Sequence, residues 1–254
     1  MFRDLHRRII RKWKTYAPER WWGDYTDIRF YLAERLTGLK GEKILDAGCN
    51  MGIMASEAAA AGNTVVGLEL NPLPLNSYRA MFRDLGLPAL AVNGSWRDLM
   101  FREGSFDILV LGWVLYCDRS AEEKSRSLSK LLKLLRPGGR VYFVEANRLC
   151  PIQGRGADCF WTIEEARLFF EAHGLEIREM LGWNPLPSLL FWLPLSLKMR
   201  IPQIILLCLY PPARLVQYLP GWYALFRFLG RFRRLWRFCR TYYICAEKLQ
   251  APNA

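Results

Sequence analysis

Asp46, Gly48, Asn50 and Gly52, followed by Glu69, have the side-chain types and spacing to hold a ribose-bearing ligand. Two glycines allow a tight turn and a close backbone approach, and the Ala-rich run 53–61 that follows is a helix former. A ligand would then lie at the N-terminus of that helix. Many turns between a strand and a helix carry two glycines for steric reasons, so the turn alone says little. Glu69 adds weight, because it ends a second apolar run, 63–70, and an acid there can accept hydrogen bonds from both ribose hydroxyls.

The surrounding patterns supply the elements that would position these groups. Ile44 and Leu45 belong to a buried strand, and Val65 to Leu68 to the next. A helix is expected from Asn71 to about Leu85, with Pro72 in its first turn. A short strand, 89–92, leads to Ser95, Trp96 and Asp98. A strong one, 106–111, leads to Gly112, Trp113 and Tyr116. A helix over 119–135 is stopped by Pro137-Gly138-Gly139, and a fifth strand runs to Glu145. Thr162 caps another helix, Gly174 opens a sixth strand, and 240–248 reads as the last.

The first motif, the Phe106-Asp107 strand and the run 134–145 together resemble the class I S-adenosylmethionine-dependent methyltransferases over about 40–182 and 240–249. The resemblance implies an α/β fold: a doubly wound, Rossmann-like seven-stranded sheet. It implies S-adenosylmethionine as cofactor, held by Asp46, Gly48, Cys49, Asn50, Gly52, Glu69, Leu70, Ser95, Trp96, Gly112 and Trp113. Asp46 would face the cofactor's amino group, Trp96 would stack near its adenine, and Gly112 and Trp113 would border the transferred methyl group. Tyr25 and Tyr31 could cap the cofactor or be ordinary helix packing. Two positions depart from the family. Asn50 replaces a glycine but tolerates a left-handed backbone, and its side chain could reach the cofactor. Ser95 stands where an Asp is common, and could equally cap a helix. Glu145 and Tyr116 are the candidates for contacting the methyl acceptor. His173 reads as a helix-end residue, and no metal constellation is visible.

Charge is unevenly placed. The net +12 is accounted for by two segments, 1–14 with six Lys/Arg against one Asp, and 198–240 with nine and no acid. Such basicity points to an anionic partner. The first segment carries Phe2, Leu5, Ile9, Trp13 and Tyr16 at helical spacing. It can lie on a membrane surface or pack as a lid on the protein's own core. A stretch at 183–239 delays the last strand. It is apolar, aromatic and free of acids, and Pro185, Pro187 and Pro194 disfavour a span across a bilayer. In its last part Leu225, Phe228, Phe232, Leu235 and Cys239 oppose Arg227, Arg231 and Arg234. Trp192, Trp222, Tyr223 and Trp236 are suited to a water–lipid boundary, and the alternative is a soluble subdomain making its own core or a dimer interface. Seven cysteines without a Cys-x-x-Cys pair indicate a reducing compartment.

Four segments follow: an N-terminal helix and cap (1–39), the cofactor-binding core (40–182), a helical membrane-associated insertion (183–239), and the last strand and tail (240–254). The expected protein is a methyltransferase on the cytoplasmic face of a membrane, peripheral or monotopic, held to an anionic surface through 1–14 and 184–239. Its acceptor would be lipid-like: a prenyl quinone precursor, phospholipid or glycolipid. Arginines segregated from an apolar stripe disfavour nucleic acid, the partner in an alternative reading as an RNA methyltransferase. A second alternative is a non-catalytic membrane adaptor on the same fold.

Overall fold

The computed structural model describes residues 2–16, 28–97, 101–114, 118, 120–150, 160–183 and 221–249. Helix α1 (Phe2–Tyr16) and helix α2 (Ile28–Thr37) precede strand β1 (Lys43–Ala47). Helix α3 (Ile53–Ala60), β2 (Thr64–Glu69), α4 (Pro72–Asp84) and β3 (Ala91–Asn93) follow. Next come β4 (Phe106–Gly112), α5 (Ala121–Lys133), β5 (Leu135–Ala146), α6 (Ile163–Ala172) and β6 (Leu175–Trp183). Helix α7 (Trp222–Leu229), a 3-10 helix (Arg233–Phe238) and β7 (Thr241–Lys248) complete the described chain.

All seven strands form one sheet in the order β3-β2-β1-β4-β5-β7-β6. The first five are parallel, and β7 is antiparallel to both its neighbours. The order reverses direction beside β1, so β1, β2 and β4 open a crevice at their carboxyl ends where ligands of doubly wound sheets bind. Apolar residues on both faces of the central strands bury them between two layers. One layer gathers Trp13, Tyr31, Tyr78, Phe82, Trp183 and Phe226. The other gathers Leu131, Phe143, Phe170, Trp236, Tyr242 and Ile244.

Local signals place the helix ends. Asn71 caps α4 through Leu73 N, Ser120 caps α5 through Glu123 N, and Thr162 with Glu165 forms a capping box on α6. Helix α5 ends at Lys133, earlier than the Pro-Gly-Gly stop implied, because β5 begins at Leu135 and takes those residues into the sheet beside a register shift in β4. His173 is the C-cap of α6, with Nδ1 on Phe169 O and Nε2 on Ser129 Oγ, both at 2.8 Å.

Helix α1 takes the lid alternative. Ile9, Ile10 and Trp13 are buried, and His6 forms a buried pair with Glu57 of α3. At its end Tyr16 and Lys12 both reach Asp84 of α4, each at 2.6 Å. The apolar stripe is therefore covered by protein, leaving Arg3, Arg7, Arg8, Arg11 and Lys14 outward. Tyr31 is a packing residue rather than a cofactor cap. It is fully buried, donates its hydroxyl to Glu179, and receives Arg35 Nη2 at 2.6 Å. Tyr25 lies outside the described residues.

Beyond Trp183, which ends β6, the insertion is described only from 221 onward, with Trp192 outside. That end is not one helix with an apolar and a basic side, since Gly230 separates α7 from the 3-10 turn. Trp222, Trp236 and Cys239 are buried, and Tyr223 packs against the same core, its hydroxyl donated to Glu34 of α2. These aromatics serve the interior, not a lipid boundary. Leu225, Phe228 and Phe232 remain 43, 57 and 47% exposed, with Arg231, Arg233 and Arg234 exposed beside them in sequence. Among the described residues no helix is long and apolar enough to cross a membrane.

Candidate active site

The turn after β1 is built by three left-handed residues in alternation, Gly48 (φ 74°), Asn50 (φ 52°) and Gly52 (φ 78°). The glycines also have no room for a side chain. A Cβ on Gly48 would stand 2.3 Å from Val114 Cγ1, and one on Gly52 would stand 2.3 Å from Tyr78 Cδ2. Asn50 meets the backbone demand by another route, its Oδ1 accepting from Met51 N at 2.9 Å. That oxygen is thus turned into the loop and not toward a ligand. Gly48 N and Cys49 N both donate to Leu68 O, at 2.7 and 3.1 Å, which binds the turn to the end of β2. The Cys49 thiol points into the core, its Sγ 2.7 Å from where a Cβ on Gly67 would stand, and burial pushes its pKa well up. Only its backbone belongs to the turn.

Glu69 is held at both carboxylate oxygens. Oε2 accepts from Asn50 N at 3.0 Å and Oε1 from Asn71 N at 2.9 Å. Each oxygen keeps a second lone pair, so the carboxylate is oriented and still able to accept two hydroxyls. Asn93 fixes the strand end beneath it, with Nδ2 donating to Glu69 O and Leu70 O at 2.9 and 2.8 Å. Leu70 itself is 58% exposed, an apolar surface beside the acid.

Asp46 is 1% exposed, and no side chain among the described residues hydrogen-bonds its carboxyl oxygens. Burial and then the Glu69 carboxylate push its pKa up to about 7, opposed in part by the Ala55 N–H in the first turn of α3. A buried acid beside a helix N-terminus, with no side-chain cation against it among the described residues, is poised for a cationic group. Because its folded pKa exceeds the usual value, its contribution to stability is present at low pH and lost as pH rises through about 7. A bound ammonium reverses that sense by favouring the carboxylate.

The remaining sequence candidates divide. Ser95 Oγ accepts from Arg97 N at 3.0 Å, closing a local turn, and no helix starts there among the described residues. The Trp96 ring is buried in the core with Ala47, Leu68 and Val114, so it packs beneath the strand ends and presents no open stacking face. Arg97 ties this loop to buried Asp118, with Nε at 3.1 Å from Oδ1. Gly112 ends β4 against Met54 of α3. Trp113 follows with a left-handed backbone (φ 52°) and donates its N–H to Val144 O at 2.9 Å. Glu145, on β5, is 1% exposed, accepts from Ala146 N at 2.9 Å, and pairs in register with Tyr242 of β7. Tyr116 and Asp98 lie outside the described residues. Neither residue type nor spacing signals the Asn71 bond to Glu69, or Arg29, whose guanidinium lies 4.4 Å from the Trp113 ring centre.

A methyltransferase-domain profile matches residues 44–139. The ubiquinone biosynthesis O-methyltransferases of Vibrio parahaemolyticus and Escherichia coli O157:H7 are each 30% identical over 150 residues, 55% of this chain. The match covers 62% and 61% of those proteins, so the chain spans less than two thirds of their length. Among solved structures, a methyltransferase from Methanosarcina mazei is 16% identical with a TM-score of 0.56, covering 84% of this chain and 95% of its own. The [4+2]-cyclase SpnF is 18% identical with a TM-score of 0.59, covering 88% and 80%. At such identities the structures speak for the fold alone, and a cyclase among them shows that this fold does not dictate the reaction. The glycine turn, the anchored acid on β2 and the buried acid on β1 fit S-adenosylmethionine: Glu69 for ribose, Asp46 for the ammonium, Leu70 beside the base. With the seven-stranded order and the profile match over 44–139, they make the chain similar to the class I S-adenosylmethionine-dependent methyltransferases.

Proposed function

We propose that this protein transfers a methyl group from S-adenosylmethionine to a hydroxyl of an amphiphilic, quinone-precursor-type acceptor, at the cytoplasmic face of an anionic membrane. The observation that carries the cofactor half is the pair of acids at the ends of β1 and β2, one buried with no side-chain partner among the described residues and one oriented by two backbone N–H groups. The acceptor class rests on the likeness to enzymes named for ubiquinone biosynthesis.

The cofactor, when bound, supplies an electrophilic sulfonium methyl carbon. The chain's part is to orient the acceptor, exclude water and take up the acceptor's proton. Trp113 and Met54 flank the end of β4 where the acceptor would enter. Glu145, one position past the Val144 carbonyl that receives Trp113 N, is the carboxylate we assign to the acceptor side.

The membrane half rests on surface chemistry. Three exposed apolar side chains, Leu225, Phe228 and Phe232, share one short stretch with Arg231, Arg233 and Arg234. That combination suits an anionic bilayer, where arginines meet phosphates and aromatics enter the boundary. The outward arginines of α1 add charge but no apolar anchor.

The test combines both halves. Purified protein is incubated with labelled S-adenosylmethionine and a short-chain prenylated catechol, with and without vesicles containing phosphatidylglycerol. We expect labelled methyl ether, and sedimentation with the anionic vesicles. Cofactor binding without methylation of any catechol would overturn the acceptor assignment, and protein left in the supernatant would overturn the membrane one.

A further inference from the structure

Helices α1 and α4 frame a groove of about 350 Å³ lined by Arg8, Arg11, Lys12, Thr15, Asp84 and Leu85. Arg8 and Arg11 stand one turn apart on α1, so their side chains are neighbours. Both are exposed, and neither has an ion-pair or hydrogen-bond partner among the described residues. The acid of the lining is already engaged: Asp84 receives Lys12 Nζ and the Tyr16 hydroxyl, each at 2.6 Å. Those two hydrogen bonds, and then the charges of Lys12 and Arg83, hold the Asp84 carboxyl below its ordinary range. Thr15 is engaged as well, its hydroxyl donated to Lys12 O at 2.7 Å.

Cations crowded on one helix face repel and weaken the helix unless counter-charge answers them. Arg8 precedes Arg11 by three residues and Lys12 by four, and Asp84 answers Lys12 alone. Two guanidiniums are left beside a groove, and their planar donor forks are the groups that grip a phosphate. The groove is separate from the cofactor crevice. Helix α4 runs 13 residues, about 20 Å, from Asn71 on the Glu69 carboxylate to Asp84 at its far end. It does share a side of the sheet with α7. Trp13 of α1 and Trp222 and Phe226 of α7 belong to one buried layer. His6 of α1 and Tyr223 of α7 both meet Phe30 of α2 edge-on, with ring centres 5.0 and 5.1 Å away.

We propose that the groove between α1 and α4 binds a phosphate ester carried by a lipid headgroup, clasped between Arg8 and Arg11. The aliphatic stems of Arg8, Arg11 and Lys12, with half-buried Leu85, offer the glycerol end an apolar wall. The proposal rests on the membrane half of the proposed function and deepens it: α7 supplies the apolar anchor, and α1 with α4 chooses the headgroup.

The experiment titrates the full chain calorimetrically in about 150 mM salt, which screens diffuse attraction. The two ligands are dihexanoyl phosphatidate and glycerol 3-phosphate, the same phosphate ester without acyl chains. Wild type should bind the short-chain lipid about tenfold or more tightly than glycerol 3-phosphate. Arg8→Gln with Arg11→Gln should weaken lipid binding about tenfold or more. Arg3→Gln with Lys14→Gln removes the same charge from exposed positions of the same helix outside the groove, and should weaken it by no more than about twofold. Equal affinity for glycerol 3-phosphate would make the source a free phosphate ester and overturn the lipid assignment. Equal losses in the two double variants, or no binding by folded wild type, would overturn the site itself. Leu225→Ser, Phe228→Ser and Phe232→Ser together leave the groove intact, so that protein should bind the short-chain lipid as the wild type does. Wild type that binds it yet stays in the supernatant with phosphatidylglycerol vesicles would sink the α7 anchor separately and leave the groove's assignment standing.

Discussion

Helices α1 and α7 are written in the same alphabet, an apolar stripe at helical spacing with arginines around it, yet the fold treats them in opposite ways. α1 buries Ile9, Ile10 and Trp13 against α3 and α4 and turns its cations outward. α7 buries Trp222 and Phe226 and leaves Leu225 and Phe228 exposed, with Phe232 just beyond. An amphipathic period states that one face needs cover. It does not say whether protein or lipid supplies it. For α1 the deciding partners are the buried His6–Glu57 pair and the Asp84 carboxylate that receives both Lys12 and Tyr16, all of them far away in sequence.

This contrast can be broken at either helix. Trp13→Ala should cost about 3–5 kcal/mol of stability, because a large, fully packed ring is removed from a core. Urea unfolding would show it, and the folded fraction should sediment with vesicles as the wild type does. Next in size, Leu225→Ser, Phe228→Ser and Phe232→Ser together should abolish sedimentation with anionic vesicles while changing stability by no more than about 1–2 kcal/mol, as exposed positions do. Equal destabilisation by the two variants would mean that α7 packs as deeply as α1. Smallest of all, Lys12→Ala should cost less than about 1 kcal/mol, since both partners of its ion pair are more than a third exposed and Tyr16 keeps its own bond to Asp84. A larger loss would make α1's hold on the core electrostatic.

The central sheet was legible because its signals are local. Buried apolar runs, a glycine turn and caps such as Asn71 and Thr162 place β1, β2, α4 and α6 within a residue or two of where they lie. Strand β7 after its long delay is placed by the family resemblance, and its antiparallel pairing with β5 and β6 comes from the structure. What escaped reading depends on contacts distant in sequence. Trp96 looked like a stacking surface because an indole after a strand serves either purpose, and only Ala47, Leu68 and Val114 around it decide for the core. The tryptophans at 222 and 236 carry the same ambiguity between lipid and core. The left-handed Trp113 leaves no trace in composition or period, and so neither does its pairing with Arg29. Asn50 was half legible: its tolerance of a positive φ is intrinsic to the residue, but the turn of its Oδ1 toward Met51 N is not.

Asp46 offers the most direct test of the account, because its buried carboxyl is both the sign of the cofactor site and its titrating group. S-adenosylhomocysteine, whose ammonium matches that of the cofactor, is titrated calorimetrically into wild type and Asp46→Asn at about pH 5.5 and about pH 7.5, on either side of the acid's midpoint. The account predicts tighter binding by wild type at the higher pH, where ionised Asp46 meets the ammonium, and weak, pH-independent binding by Asp46→Asn. Folded wild type that takes up no ligand at either pH, or an Asp46→Asn protein that binds as tightly and with the same pH dependence, would contradict it.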